Sequence, residues 1–181
     1  MKGKKVFLRQ PTAEDFAEYV RLAKQSEKFH RGLMKMAKTR EEFDAFLRRS
    51  EQETNECFLI CRNEDRAIAG MINLSQIFRG SFQNAYLGYG LGVKFTGQGL
   101  ITEAIKLILK YAFTDLRLHR VEANVQPHNT TSIAVLQKTN FTKEGFSRKY
   151  LKVGGRWRDH ERWAIIAEDY KSKSENGKQR G

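Results

Sequence analysis

Proline and cysteine are both scarce, with two residues of each among 181. So little proline excludes proline-rich and collagen-like architectures, and so little cysteine excludes a disulfide-built scaffold. The two cysteines, Cys57 and Cys61, sit four apart in the strand-like run Cys57-Phe58-Leu59-Ile60-Cys61. In a strand they point the same way but lie beyond disulfide reach, so two reduced apolar side chains are expected. The four histidines show no paired ligand spacing, and no structural metal is expected. No apolar run approaches the roughly 18 residues of a membrane span, so no membrane partner is expected. The basic start, Met1-Lys2-Gly3-Lys4-Lys5, leads into an alternating pattern without an export-type apolar region, which gives a cytoplasmic expectation.

What is present suffices for a core: 40% hydrophobic and 11% aromatic residues. A chain of this size buries roughly 70% of its unfolded surface as one domain. We expect a single domain over 1–170 and a disordered basic tail at 171–181, where no apolar residue occurs. The net charge of +12 favours anionic partners: nucleic acid, a ribosomal surface or a polyphosphate cofactor. It supports an RNA-rich neighbourhood without identifying one. Monomer and homodimer both stay open.

Periodicity predicts the order β, two helices, three strands, helix, strand, helix, hairpin. Thr12 with Asp15 and Thr39 with Glu42 read as helix starts. Ile101, Ala104, Ile105, Ile108 and Ala112 mark one face of the strongest helix, over 100–113. Val121, Ala123 and Val125 alternate with Glu122, Asn124 and Gln126 as a strand with one polar face. Gly154-Gly155 suits a two-residue hairpin turn. The expected class is a mixed α/β (α+β) domain with antiparallel portions.

Two segments carry chemistry. In Leu91-Gly92-Val93-Lys94-Phe95-Thr96-Gly97-Gln98-Gly99-Leu100-Ile101-Thr102-Glu103-Ala104 a strand ends, a glycine loop turns and a helix begins. Free amides and positive partial charge at a helix start suit a diphosphate, and glycines let it approach. A ligand-free tight turn would need the same residues. The Gly-Lys-Ser/Thr triplet of a P-loop is absent, and Gly97 and Gly99 lack the third glycine of a dinucleotide fingerprint. Asn124-Val125-Gln126-Pro127-His128-Asn129-Thr130-Thr131-Ser132 then collects hydroxyls in a helix's first turn, which plain N-capping also explains.

Together these segments resemble the GNAT acetyltransferases. Phe141-Thr142-Lys143-Glu144-Gly145-Phe146 and Tyr150-Leu151-Lys152-Val153-Gly154-Gly155-Arg156-Trp157-Arg158-Asp159-His160 further resemble the RimJ/RimL branch, which acetylates N-termini of ribosomal proteins. The resemblance implies a GNAT fold: about seven mostly antiparallel strands, a V-shaped splay between the central ones, and about four flanking helices. Four positions depart from the usual pattern. Thr96 stands where the loop commonly starts with Gln or Arg, Ile101 where Gly or Ala is common, and Asn140-Phe141 replaces Gly-Phe. Leu136 occupies the place of a tyrosine general acid in many relatives.

The resemblance implies acetyl-CoA as cosubstrate and no metal. Amides of Thr96, Gly97, Gln98, Gly99, Leu100, Ile101 and Thr102 would hold the diphosphate. Backbone groups of Leu91, Gly92 and Val93 would pair with the pantetheine arm, and Asn129 would hydrogen-bond it. An amide near Tyr89 to Leu91 would polarise the thioester carbonyl. Ser132 would protonate the leaving thiolate, and Glu122 would act as base through water, with His160 and Asp159 as rivals. The acceptor would be the N-terminal amine, of alanine or serine type, of a ribosomal or other protein; a polyamine, aminoglycoside or lysine is the alternative. A non-catalytic RNA- or ribosome-binding domain is the reading from a different class. Segment 26–50 is expected to hold acceptor residues, as a lid or as a linker between helices.

Overall fold

The computed structural model describes residues 1–170; the expected tail at 171–181 lies outside them. Seven strands form one sheet in the order β1-β2-β3-β4-β5-β7-β6, where β1 is Val6–Arg9, β2 Glu56–Arg62, β3 Ile68–Phe78, β4 Asn84–Leu91, β5 Arg120–Val125, β6 Thr142–Val153 and β7 Arg156–Ile166. All neighbours are antiparallel except β4 and β5. The helices are α1 (Phe16–Gln25), α2 (Glu27–His30), α3 (Arg40–Ser50), α4 (Leu100–Thr114) and α5 (Thr130–Lys138). The four expected helices are all present. The structure adds the single turn of α2 and helical residues at 167–170.

Local chemistry explains the boundaries. Asp15 accepts from the Thr12 amide and forks onto the Arg9 guanidinium, which fixes the entry to α1 on β1. Burial pushes the Asp15 carboxyl up, but these bonds outweigh it and hold the group below its usual range. The Thr39 hydroxyl accepts from the Glu42 amide and starts α3. Asn140, at φ 67°, closes α5 in the left-handed region that asparagine tolerates.

Alternation sorts the sheet into two faces. Leu59 and Met71 lie under α1, whose Tyr19 stacks on Phe46 and packs at a tilt against Phe43 of α3. On the opposite face Ile72, Leu74, Ala85 and Val121 meet Ala104, Ile105 and Ile108 of α4, and all seven are fully buried. Cys57 and Cys61 are buried and unpaired, and burial pushes both thiols up, Cys57 to about 11. They are packing residues rather than nucleophiles.

The one parallel pair creates the functional opening. Its register joins Asn84 to Arg120, Ala85 to Val121 and Tyr86 to Glu122, and there it stops. Both strands run on, to Leu91 and Val125, without pairing to each other. The result is a wedge between the strands, closed at Tyr86 and Glu122.

Candidate active site

The wedge exposes a strand edge whose phase can be read from one bond. The Gly92 amide donates to the Ala69 carbonyl at 2.8 Å, so Gly92, Gly90 and Gly88 direct their backbone groups at β3. Tyr89 and Leu91 therefore direct theirs into the wedge. The Leu91 carbonyl is already met by His30 Nε2 at 2.8 Å. Burial holds the His30 ring below its usual pKa, and because a carbonyl only accepts, the Nε2–H is the donor.

The segment expected to pair with a pantetheine arm, Leu91 to Val93, is thus largely committed within the chain. Gly92 N–H goes to Ala69, Gly92 C=O accepts from Phe95, and Val93 N–H donates to Ser26 Oγ at 3.0 Å. The groups aimed at the opening are the Leu91 amide and the backbone of Tyr89.

Beyond Val93 the chain makes one 3₁₀ turn, Val93–Phe95, and reaches the glycine loop. Gly97 and Gly99 have φ of 75° and 77°, a region costly for other residues, and Gly99 is the N-cap of α4. No side chain caps α4, so the amides of Leu100, Ile101 and Thr102 lack helical acceptors. A Cβ at Gly97 would meet nothing within 4 Å, so the approach to this turn is open. The Thr96 hydroxyl and Gln98 side-chain amide are turned inward, onto the carbonyls of Val93 and Lys94. Both residues therefore offer backbone rather than side-chain contacts. Lys5 Nζ donates to the Gln98 carbonyl at 3.0 Å and adds positive charge beside the loop. An anion facing this loop meets unsatisfied amides, a helix dipole and a cation together. The built turn fits a diphosphate.

Across the wedge, Asn129 caps α5 by accepting from the Ser132 amide at 3.2 Å. The capping function expected from composition is therefore present. It uses only Oδ1, so the Asn129 side-chain nitrogen is still a donor. The Ser132 hydroxyl is 2.6 Å from the Tyr89 hydroxyl, so β4 and α5 are joined across the opening by two oxygens. Burial pushes the Tyr89 phenol up to about 12, against a smaller lowering by Ser132. Leu136 is fully buried and offers no proton.

The other expected groups lie elsewhere. Glu122 stands at the closed end of the wedge, accepting from Arg120 Nε at 2.8 Å. Arg120 also binds Glu144, so a cation sits between two carboxylates. His160 is buried in the β6–β7 hairpin with Nδ1 on the Arg158 carbonyl at 3.0 Å, and burial lowers its pKa. Asp159 accepts from the Lys149 amide in the same hairpin. Segment 26–36 is a strap rather than a simple linker. It touches β4 through His30 and Met34, and Gly32 accepts from Gln126 Nε2, just past β5, at 2.7 Å. Sequence reasoning missed Tyr89 as a side chain, together with His30, Ser26 and Lys5. None of them belongs to a local motif.

A mixed sheet splayed at its one parallel junction, with an open glycine turn heading the next helix, defines the N-acetyltransferase class. Residues 5–142 match the acetyltransferase (GNAT) domain, and the chain belongs to this family. GNAT acetyltransferases use acetyl-CoA.

The relatives narrow the class. Bacillus subtilis (strain 168) "Probable N-acetyltransferase YjcK" is 34% identical over 177 residues, 93% of this chain and 98% of that protein. Escherichia coli (strain K12) "[Ribosomal protein uS5]-alanine N-acetyltransferase" is 39% identical over 107 residues, 59% of this chain and 55% of that enzyme. Mycobacterium smegmatis RimJ, solved in complex with CoA-disulfide, is 29% identical with a TM-score of 0.84, covering 91% of this chain and 83% of that one. The resemblance to the RimJ/RimL branch is upheld by these relatives.

Proposed function

We propose that this N-acetyltransferase moves the acetyl group of acetyl-CoA onto the α-amine of a protein N-terminus beginning with alanine or serine, with ribosomal proteins as the substrate class and the cytoplasm as its setting. The likeness to RimJ over 91% of the chain carries this reading. The diphosphate rests on the amides from Gly97 to Thr102. The pantetheine arm lies along the β4 edge at Tyr89 and Leu91, and Asn129 meets it from α5. The Leu91 or Tyr89 amide faces the thioester oxygen, a contact of the kind worth about 3 kcal/mol of barrier. Ser132 protonates the sulfur as it leaves.

The placement of the base favours an α-amine. Glu122 is bound by Arg120 and serves only through water from the closed end of the wedge. An N-terminal amine, with a pKa of about 8, is partly neutral without help, whereas lysine at about 10.4 is not. Escherichia coli spermidine N(1)-acetyltransferase is also similar, at 26% identity over 110 residues. The chain's charge of +12 disfavours a polycationic acceptor.

The test offers acetyl-CoA with ribosomal proteins and, separately, with spermidine. The expected product is one acetyl group on an N-terminal residue, read by peptide mass spectrometry. Transfer to spermidine alone would replace this reading with the polyamine one.

A further inference from the structure

We propose that Tyr89 is the positioning partner of Ser132, donating its phenolic hydrogen bond to Ser132 Oγ so that the single serine proton points at the coenzyme sulfur. The inference rests on the reading of Ser132 given above and adds a residue to it.

Tyr89 occupies a position of β4 where alternation calls for an apolar side chain. Its neighbours on that face, Ala85, Leu87 and Leu91, are buried hydrophobics. Phenylalanine would satisfy the packing, so the hydroxyl is the feature to explain. Among the described residues it meets only Ser132, at 2.6 Å from Oγ and 3.4 Å from the backbone carbonyl. Ser132 Oγ in turn has no other side-chain partner among them.

Proton counting then sets the direction. A serine hydroxyl has one proton and two lone pairs. If Ser132 gives its proton to sulfur, it must accept from Tyr89. Without that donor, a serine in a helix's first turns swings its hydroxyl back onto a preceding carbonyl. With Leu136 buried, α5 presents no phenol, and β4 supplies one across the wedge.

The step balances as follows. The acceptor nitrogen bonds to the acetyl carbon, and the carbon–sulfur bond breaks with its electron pair on sulfur. Ser132 passes its proton to that sulfur and takes the Tyr89 proton. The proton shed by nitrogen passes through water to Glu122, and Tyr89 is reprotonated from solvent. The Tyr89 side chain contacts neither substrate and acts through Ser132.

The experiment titrates the thiol of free coenzyme A bound to the wild type, Tyr89→Phe, Ser132→Ala and the double variant, following thiolate absorbance in the ultraviolet. Turnover is followed in parallel with an alanine-initiated peptide. A hydrogen bond directed at the thiolate lowers the bound thiol pKa, by about one pH unit at ordinary strengths. We expect this lowering in the wild type and its loss in both single variants. Turnover in Tyr89→Phe falls about tenfold with unchanged coenzyme affinity, and the double variant is no slower than Ser132→Ala. A Tyr89→Phe enzyme with wild-type thiol pKa and turnover, beside an impaired Ser132→Ala, overturns the role of Tyr89 alone. Additive losses in the double variant also overturn it. An unimpaired Ser132→Ala removes Ser132 from the mechanism, and this inference with it.

Discussion

Gly99→Val is expected to weaken coenzyme A binding by about tenfold or more, measured by isothermal titration. Two physical effects combine. Gly99 sits at φ 77°, where a β-branched residue costs about 1–3 kcal/mol of strain, so the turn relaxes and its amides lose their common aim. The new side chain also stands over the approach to the α4 amides, since a Cβ there has only Lys5 Nζ within 4 Å, at 3.8 Å. Gly99→Asn separates the effects. Asparagine tolerates the left-handed region, so that variant keeps the wild-type melting temperature and still loses affinity through obstruction. Normal affinity in both variants would mean that the diphosphate does not approach this turn.

Ser132→Ala is the second large effect: turnover falls about tenfold to a hundredfold, below the upper range for removal of a general acid. Coenzyme affinity stays within about twofold, because the α5 cap uses the Ser132 backbone amide, which alanine retains. The change also strips the half-buried Tyr89 hydroxyl of its short bond and leaves it the Ser132 carbonyl at 3.4 Å, a loss of about 1 kcal/mol. A lower melting temperature is therefore expected, and rates must be compared well below it. Ser132→Thr retains the hydroxyl and is expected to recover most of the turnover. Unchanged turnover in a folded Ser132→Ala would leave the sulfur to be protonated by solvent.

The sequence carried the sheet because its signals are local. Alternation in 120–125 and the apolar face of 100–113 depend only on near neighbours, as does the Gly154-Gly155 turn. Each appears in the structure. The glycine loop was legible for the same reason, because Gly97 and Gly99 announce a turn that other residues would strain. The pairs that shape the wedge are long-range and leave no periodic trace. Tyr89 and Ser132 are 43 residues apart, His30 and Leu91 are 61, and Gly32 and Gln126 are 94. In the sequence Tyr89 is simply one more large residue on a buried face. The commitment of Gly92 and Val93 to Ala69 and Ser26 was hidden in the same way, because it depends on the phase of β4 against β3. Glu122 read as a lone carboxylate on a polar face, whereas in the structure it is bound by Arg120, whose guanidinium also holds Glu144.

A crystal structure of this protein with coenzyme A tests the account most directly. The prediction is a diphosphate within hydrogen-bonding distance of the amides between Gly97 and Thr102, with the pantetheine arm entering the wedge along Tyr89 and Leu91 and the sulfur next to Ser132. A diphosphate bound elsewhere, or a sulfur on the far side of β5 from Ser132, would contradict it.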